Sequence, residues 1–374
     1  MNLLRTCKMS YSFRDSFKFY LFPIDHFSKF RNTETIPKLY DVMDVISKEH
    51  YMALKSLSNK FHIDLVRLET NRLLKSGDLP MSIRSLYFGR RFNQPFNTIP
   101  SVLPTGLEQL GFGMSFNSPI EPGSLPDGLI RLHFGSTFDQ PLVKGVIPQS
   151  VTDLNFGFYY EHAIEPGIIP SQVKDLTFSF YYNHPLVPGV IPPSVTSLVL
   201  SFWYSYPISE GIIPDSVKSL SIGLYFDGRL SMSTLPKSIE TLSYIKDFNE
   251  IIPPNYLPNT ITTLNLSSDY NQPLQANAIP SSVKSLYFGE KYNQTIPVGV
   301  LPDSIKKIQF GFSFNSPILP DSLPKYLESI KFSFQFAQDL TPDIFPLNSL
   351  RVIKLSWSYE GNISPELLKF IKRY

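Results

Sequence analysis

The 374-residue sequence predicts a repeat solenoid, in which short parallel strands stack along one face of an array of coils. A Leu-Pro or Ile-Pro pair, once Phe-Pro, recurs from Leu79 to Phe345 with one spacing of 24 residues and otherwise spacings of 22. Aliphatic residues follow each pair at fixed offsets, and an aromatic residue closes the pattern. Because a strict period of about 20 to 50 residues is typical of stacked repeats, the sequence favours one elongated array over several globular domains.

The strand of each coil is predicted from positions that keep their apolar character. When each unit is numbered from the residue before its proline, position 8 is Leu or Ile and position 10 is a large apolar or aromatic residue. Side chains alternate between the two sides of a strand, so a strand over about positions 7 to 11 turns positions 8 and 10 inward. Gly or Ser at position 11 suits the end of this strand, where the chain turns. The spacing of positions 5, 8 and 10 matches the L-x-x-L-x-L pattern of leucine-rich repeats.

The return side of each coil is predicted to be mostly irregular or extended chain with short turns. Proline at position 2, and often at position 17, lacks an amide hydrogen and therefore lies outside the strand ladder. Too few residues remain for a full helix. The aromatic residue at position 14 is expected to form a spine inside the array. Asn at position 15 is expected to tie the turn by hydrogen bonds to neighbouring backbone.

A family resemblance is visible at positions 14 to 17. Examples are Phe92-Asn93-Gln94-Pro95, Phe116-Asn117-Ser118-Pro119 and Tyr270-Asn271-Gln272-Pro273. These segments resemble the FNIP repeat, a 22-residue relative of the leucine-rich repeat that is abundant in social amoebae and giant DNA viruses. The resemblance covers about residues 79–356 and implies a leucine-rich-repeat-like solenoid.

The array of about twelve to thirteen repeats is expected over residues 79–358, between two ends that shield its terminal coils. Residues 1–78 are predicted to be a helical N-terminal region, because apolar residues between 37 and 57 recur at roughly helical spacing. Residues 359–374 are predicted to form a C-terminal capping helix, with Ser364 as its N-cap and Pro365 at its first position. A degenerate half-unit is expected before the first full coil, at Val66, Leu68 and Leu73.

The N-terminus carries a second resemblance. Relatives in this family often have an F-box, a helical module that docks onto a ubiquitin-ligase scaffold, ahead of the repeats. Residues 3–12 resemble the later half of that box, but its early half with a Leu-Pro opening is absent. Two interpretations stay open: a degenerate F-box, or a cap specific to this protein.

Composition narrows the classes of function. The formal net charge of +2 argues against a nucleic-acid partner held by phosphate neutralisation. No stretch approaches the roughly 20 apolar residues of a membrane span, and the N-terminus has no signal-peptide apolar region. We therefore expect a monomer in the cytoplasm (the host cytoplasm if the protein is viral) with no membrane partner and no cofactor. The single thiol, Cys7, fits a reducing compartment and excludes a cysteine metal cluster.

Two histidines invite a metal interpretation, since His162 and His184 occupy position 16 of neighbouring coils beside Glu161. A metal needs a third or fourth ligand, and position 16 is Gln in five other copies. We therefore interpret both as turn residues and expect no metal site. The sequence holds no nucleophile elbow or phosphate loop, so no catalytic residue is predicted.

Positions 12 and 13 carry aromatic residues in four consecutive coils, whereas other coils have polar residues such as Arg90 and Arg91 there. An exposed apolar stripe of this kind would mark a protein contact. The alternative is a locally thicker core with rings stacked along the spine. The candidate partner-binding residues are Phe158, Tyr159, Phe180, Tyr181, Phe202, Trp203 and Tyr225.

The sequence thus predicts a non-enzymatic protein–protein interaction scaffold with an unidentified protein partner. Its family resemblance implies a more specific version, a substrate-recruiting adaptor of a ubiquitin ligase that binds ligase scaffold components. The alternative is a carbohydrate- or small-ligand-binding solenoid, which requires flat, exposed rings beside carboxylates.

Overall fold

The structure is a computed structural model that describes residues 71–95, 102–223, 234–244 and 248–374, together with short strands between residues 22 and 68. The chain divides into two compact units, Met1–Phe158 and Tyr159–Tyr374. Each unit is a parallel β-solenoid in which one turn of the chain contributes one strand.

The first unit pairs its strands in parallel along the array. Strand β1 pairs with β3, β3 with β5, and β5 to β9 follow in sequence order, while β2 and β4 form a separate pair. The strands are β1 (Phe22–Pro23), β2 (Leu39–Tyr40), β3 (Met43–Val45), β4 (His62–Ile63), β5 (Leu65–Leu68), β6 (Ser85–Phe88), β7 (Gln109–Gly111), β8 (Arg131–His133) and β9 (Asp153–Asn155).

The second unit continues the same pattern with consecutive parallel strands and two short 3₁₀ helices, Pro342–Ile344 and Pro365–Phe370. Its strands are β10 (Asp175–Thr177), β11 (Ser197–Val199), β12 (Ser219–Ile222), β13 (Thr241–Tyr244), β14 (Thr263–Asn265), β15 (Ser285–Tyr287), β16 (Lys307–Gln309), β17 (Ser329–Lys331), β18 (Val352–Leu355) and β19 (Ile371–Arg373).

The predicted strand is present with its inward face, but it is shorter than expected: it covers positions 7 to 9 in most coils, as at Ser285–Tyr287, and reaches position 10 in others, as at Thr241–Tyr244. Position 8 lies opposite position 8 of the next coil, as Leu264 does opposite Leu286, and both side chains are fully buried. Position 10 is buried as well, for example at Phe310. Because the period equals one full turn, each coil places an apolar side chain at the same two positions of the core, and within each unit these side chains line up as ladders.

The aromatic spine at position 14 is confirmed in both units. In the second unit the rings of Tyr270, Tyr292 and Phe314 stack with centroids 6.1 and 6.2 Å apart and planes nearly parallel. Tyr292 and Phe314 also pack on the position-10 rings of their own coils, with centroids 4.2 Å from Phe288 and 3.7 Å from Phe310. Such pairs contribute about 0.5–1.5 kcal/mol each beyond the burial of their area, so the spine is a major source of stability.

The asparagine side chain at position 15 bonds to backbone, as the sequence led us to expect, and the backbone that it reaches belongs to the next coil. The backbone N–H of Asn293 donates to Asn271 Oδ1 at 2.9 Å, and the side chain of Gln294 donates to the same oxygen at 3.1 Å. Where position 16 is Ser, its hydroxyl takes the place of the Gln side chain, as Ser118 Oγ does by donating to Asn93 Oδ1 at 3.0 Å. In these pairs the Asn side chain accepts a hydrogen bond from Gln or Ser of the next coil, so the pairs connect successive coils.

Glycine at position 11 is explained by close packing between coils. A Cβ atom built on Gly289 would lie 1.5 Å from the carbonyl oxygen of Ser267, and one on Gly311 would lie 2.0 Å from that of Gly289. Where Ser replaces Gly, as at Ser333, its hydroxyl donates to the carbonyl oxygen of Phe314. The expected turn at the strand end is thus a secondary reason for glycine at this position.

Position 21 is a conformational requirement that the sequence analysis missed. The residue at position 21 has a positive φ in successive coils. It is Gly in several of them, at Gly167, Gly189 and Gly211. Asn277 (φ 62°) and Asp321 (φ 59°) take the same conformation. Gly, Asn and Asp are the residues that tolerate it, and their recurrence at position 21 was the available signal.

The predicted helical N-terminal region is not supported. Within the predicted helix, Leu39–Tyr40 and Met43–Val45 are strands. Met43 lies opposite Val66, and Val45 opposite Leu68, about one repeat length further along the chain. The alternating pair Met43 and Val45 therefore adds a strand to the array, which overrides the helical spacing of its neighbours. Of the degenerate half-unit expected at Val66, Leu68 and Leu73, the first two residues lie in β5 and are buried, whereas Leu73 lies beyond that strand and is exposed over 40% of its surface.

The predicted C-terminal capping helix is also wrong. Residues Pro365–Phe370 form a 3₁₀ helix whose N-cap residue, Ser364, makes no side-chain capping bond, and the chain then enters β19. Ile371 lies opposite Ile353 and so takes the place of position 8 in one further coil. Pairing with β18 satisfies the edge of that strand, which a helix at this end would have left open.

Candidate interaction surface

The middle stripe comprises Tyr159, Phe180, Tyr181, Phe202 and Trp203 of the second unit, at positions 12 and 13 of successive coils. Its position-13 rings stack in one row, with Tyr159 to Tyr181 at 5.2 Å and Tyr181 to Trp203 at 5.7 Å. Its position-12 rings stack in a second row, with Phe180 to Phe202 at 4.4 Å. The two rows touch, since Phe180 meets Tyr181 edge-on. The sequence therefore placed these rings together correctly.

The middle stripe is mostly half-buried. Phe180, Tyr181, Phe202 and Trp203 are of intermediate exposure, and Tyr159 is exposed over 45% of its surface. The rings cover one another as well as the core, so the stripe combines features of both interpretations drawn from the sequence. Of the remaining candidates, Phe158 is half-buried in the first unit, and Tyr225 lies outside the described residues.

The C-terminal ring patch comprises Phe312, Phe334 and Trp357, and the sequence analysis did not single it out. The three residues occupy position 12 of consecutive coils, once the extra residue of the last coil is counted. Their side chains are exposed over 51%, 53% and 78% of their surface. Phe312 and Phe334 lie 6.2 Å apart with planes inclined by 36°.

The residue at position 13 explains the exposure of this patch. In the middle stripe a second aromatic row at position 13 covers the position-12 rings. In the C-terminal coils position 13 holds Ser313, Gln335 and Ser358, which are too small or too polar to cover them. The signal was present in the sequence, as large apolar residues at position 12 without an aromatic neighbour.

Tyr374 packs against the C-terminal ring patch. Its ring meets Phe334 edge-on at 5.3 Å, and its hydroxyl donates to the carbonyl oxygen of Phe332 at 2.6 Å. The ammonium group of Lys331 lies 4.1 Å from the centre of the same ring. These three contacts hold the tyrosine ring between an outward strand position and the exposed rings.

Polar pairs cross between coils on the outward strand face. Asp153 lies 3.5 Å from Arg131 and 3.3 Å from His133, and Lys307 Nζ donates to Tyr287 Oη at 2.9 Å. Exposed pairs of this type contribute little to stability, about 0–1 kcal/mol each. They leave this face polar and variable along the array.

An open groove of about 360 Å³ lies beside position 6 in the second unit and is lined by Lys306, Tyr326, Glu328 and Arg351. Lys306 and Arg351 both pair with Glu328, at 2.9 and 3.3 Å. The hydrogen bond from Lys306, helped by the charge of Arg351, holds the pKa of Glu328 below its usual value. Lys306, Glu328 and Arg351 therefore form ion pairs with one another in this groove.

The two histidines behave as turn residues. His184 Nε2 makes a hydrogen bond with the backbone carbonyl oxygen of Glu161, at position 15 of the preceding coil. Gln side chains at the same position donate instead to the side-chain oxygen of the position-15 Asn, as Gln294 does to Asn271 Oδ1. Within the described part of the chain, no group of three or more His, Cys, Asp or Glu side chains could hold a metal ion. The described residues also include no helix long and apolar enough to cross a membrane.

These features define the class of protein as a leucine-rich-repeat-like β-solenoid. The family model of the FNIP Repeat matches residues 71–115, 116–159, 160–202, 204–247, 248–291 and 292–335. Each matched segment spans two 22-residue coils. The chain belongs to the FNIP repeat family.

Among solved structures, the chain is similar to CroV588, described as a novel circular LRR protein structure and coming from a giant virus. The two share 32% sequence identity with a TM-score of 0.69, over 83% of this chain and 46% of that one. The chain therefore spans about half the length of that relative.

A second match is a leucine-rich repeat protein from Bacteroides ovatus, at 14% identity and a TM-score of 0.20 over 84% of this chain and 80% of that one. That likeness is too low to support an argument. Among curated proteins, none matches.

Proposed function

We propose that this chain is a non-enzymatic protein-binding solenoid that contacts its partner through the C-terminal ring patch. The observation that carries the proposal is the exposure of Phe312, Phe334 and Trp357 on three consecutive coils. Exposed aromatic residues that line up on a rigid scaffold are typical of protein contacts. Leucine-rich-repeat-like solenoids typically serve in protein–protein interaction, which supports the proposal at the level of the fold.

The use of the repeat positions supports the same function. Positions 8, 10, 14 and 15 are taken up by the core and by bonds between coils, as described above, and position 5 is buried as well, for example at Ile305. Positions 12 and 13 and the outward strand face are free to vary without disturbing those ladders. Recognition on a solenoid requires this separation between constant scaffold and variable surface.

The middle stripe is proposed as a second contact region. Tyr159 is its most exposed ring, and the rings of Tyr181 and Trp203 continue the row beside it. Because this stripe is half-buried, we propose that it widens a contact that is anchored elsewhere.

The narrower version of the function is a substrate-recruiting adaptor of a ubiquitin ligase in the cytoplasm. Its support is the resemblance of residues 3–12 to the later half of an F-box. Those residues lie outside the part that the structure describes. Co-purification of ligase scaffold components with the full chain, and their loss when residues 1–20 are deleted, is the outcome that this version requires.

The carbohydrate-binding alternative requires flat rings beside carboxylates. Beside the C-terminal ring patch, Tyr374 contacts both Phe334 and Lys331. The charged group at this contact is therefore an ammonium and not a carboxylate. The rings of the middle stripe present their faces to one another. The arrangement therefore favours a protein partner over a sugar.

The test compares the proteins that bind three forms of the full chain. The variant Phe334→Ser with Trp357→Ser removes two rings of the patch. The matched control, Met81→Ser with Tyr326→Ser, removes two large exposed side chains at other repeat positions, which are exposed over 66% and 55% of their surface. We expect binding proteins shared by wild type and control to be lost from the patch variant. Identical binding by all three folded proteins would disprove the proposed contact.

A further inference from the structure

A row of three lysines lies on the strand face next to the C-terminal ring patch. Lys331, Lys354 and Lys372 are opposite one another in register on β17, β18 and β19. All three occupy position 9 or its equivalent, which points outward; Lys354 and Lys372 are exposed, and Lys331 is half-buried. Adjacent strands lie about 4.8 Å apart, so the row extends over about 10 Å.

The charges of this row are not compensated within the described part of the chain, where none of the three lysines forms an ion pair with a carboxylate. Glu328, on the strand segment of Lys331, pairs instead with Lys306 and Arg351 at position 6. Like charges that lie opposite one another on neighbouring strands destabilise a sheet. The fold therefore carries a cost here that an anionic partner would remove.

Tyr374 joins the lysine row to the C-terminal ring patch. It contacts Lys331 on one side and Phe334 on the other, and its hydroxyl is fixed on the carbonyl oxygen of Phe332. The result is one continuous surface with three ammonium groups along one edge and exposed rings along the other.

We propose that this surface binds an extended acidic segment of a partner protein, anchored by apolar or aromatic side chains. Carboxylates of the segment lie along Lys331, Lys354 and Lys372, and its apolar side chains pack among Phe312, Phe334 and Trp357. Three residues of extended chain span about 10 Å, so a segment of about five residues covers both edges. This inference rests on the proposed function, because it names the chemistry of the partner at the same ring patch.

A single-stranded nucleic acid also combines negative charge with flat rings, but the geometry favours a protein segment. The planes of Phe312 and Phe334 are inclined by 36°, and Tyr374 meets Phe334 at 74°, so the rings do not form a series of parallel platforms. Residues 301–374 contain nine Lys and Arg but also seven Asp and Glu. A long phosphate backbone would meet those carboxylates beyond the lysine row, whereas a short acidic segment would not.

The experiment measures binding of labelled probes to the full chain by fluorescence anisotropy. The probes are a peptide of about twelve residues that alternates Glu or Asp with Phe or Trp, the same peptide with Lys in place of each acid, and an oligothymidylate of similar length. The proteins are wild type, the row variant (Lys331→Gln, Lys354→Gln, Lys372→Gln), and a charge-matched control. The control changes three exposed lysines elsewhere, Lys144→Gln, Lys174→Gln and Lys284→Gln.

We expect the acidic peptide to bind wild type and the control alike, and to bind the row variant about tenfold or more weakly. Its affinity should fall with added salt, because exposed ion pairs are screened, and the basic peptide should not bind. Equal binding to the row variant and the control, absence of binding, or tighter binding of the oligothymidylate would each overturn the proposal.

The same variants separate this inference from the proposed function. If the natural binding proteins are lost from Phe334→Ser with Trp357→Ser but retained by the folded row variant, the acidic partner is wrong and the ring contact stands. If the ring variant retains those proteins, the proposed function fails at this surface whatever the peptides do.

Discussion

The middle stripe and the C-terminal ring patch place aromatic side chains at the same position 12 of the repeat, yet the two regions bury them differently. Phe180 and Phe202 are half-buried beside the stacked rings of Tyr181 and Trp203. Phe334 has Gln335 as its neighbour at position 13 and is exposed over 53% of its surface. The identity of position 13 therefore decides whether a ring at position 12 strengthens the fold or offers a contact.

The largest difference between the two regions is expected in stability. Tyr181→Ser with Trp203→Ser removes two half-buried, stacked rings, so we expect a loss of about 3 kcal/mol. Phe334→Ser with Trp357→Ser removes exposed rings and should cost less than about 1 kcal/mol. The midpoints of urea unfolding, followed by circular dichroism, measure both. Equal losses for the two variants would show that position 13 does not control burial.

A second contrast uses the two tryptophans of the chain, one in each region. Trp203 is half-buried, whereas Trp357 is exposed over 78% of its surface. With Trp203→Phe, the remaining emission should be red-shifted and quenched by acrylamide several-fold more strongly than with Trp357→Phe. Similar quenching constants for the two single-tryptophan proteins would contradict the assigned exposures.

The difference in exposure between the two regions should shrink when the C-terminal coils receive aromatic residues at position 13. Ser313→Tyr with Gln335→Tyr gives the C-terminal coils the second ring row of the middle stripe. We expect the new rings to stack beside Phe312 and Phe334, to raise stability by about 1 kcal/mol and to lower binding of an apolar fluorescent dye. Unchanged or stronger dye binding, with the fold intact, would mean that the new rings do not cover the old ones.

The smallest predicted effect concerns the spine beneath the middle stripe. Burial raises the pKa of Tyr182 to about 12, although the backbone N–H of Ile164 donates to its hydroxyl and partly offsets this. Because the unfolded chain releases this proton near pH 10, the contribution of Tyr182 is complete below pH 10 and declines as pH rises toward 12. We expect the melting temperature of wild type to fall more steeply over this range than that of Tyr182→Phe. Parallel slopes would show that the hydroxyl is not buried in the folded state.

Much of the fold was predictable because the same residue types recur at the same repeat positions in many units. The strand that begins at position 7 and the spine at position 14 follow from alternation and period alone, although the strand ends one or two residues earlier than predicted. The two ends were not predictable in this way, since Met43 and Ile371 have no regular unit around them. Each gains a neighbouring strand, β5 or β18, and that pairing outweighs the local helical signals at residues 37–57 and 364–370.

The candidate site was predictable only in part. An excess of aromatic residues drew attention to Tyr181 and Trp203, because two large rings in one coil are conspicuous in sequence. Phe312 and Phe334 attracted none, although each stands alone at position 12 and is more exposed. A ring at position 12 is more exposed when position 13 of its coil has no ring to cover it. The number of aromatic residues in a coil is therefore a poor measure of their exposure.

By itself, the sequence determined the coil, its register and its family, because a 22-residue period with a proline in every unit leaves one way to superimpose the turns. Only the tertiary structure decided which coil supplies the partner of each hydrogen bond and each close contact. Asn at position 15 serves the next coil, and Gly289 is required by the approach of Ser267 from the coil before. It also decided the surface, because exposure at position 12 depends on side chains that become neighbours only when coils stack.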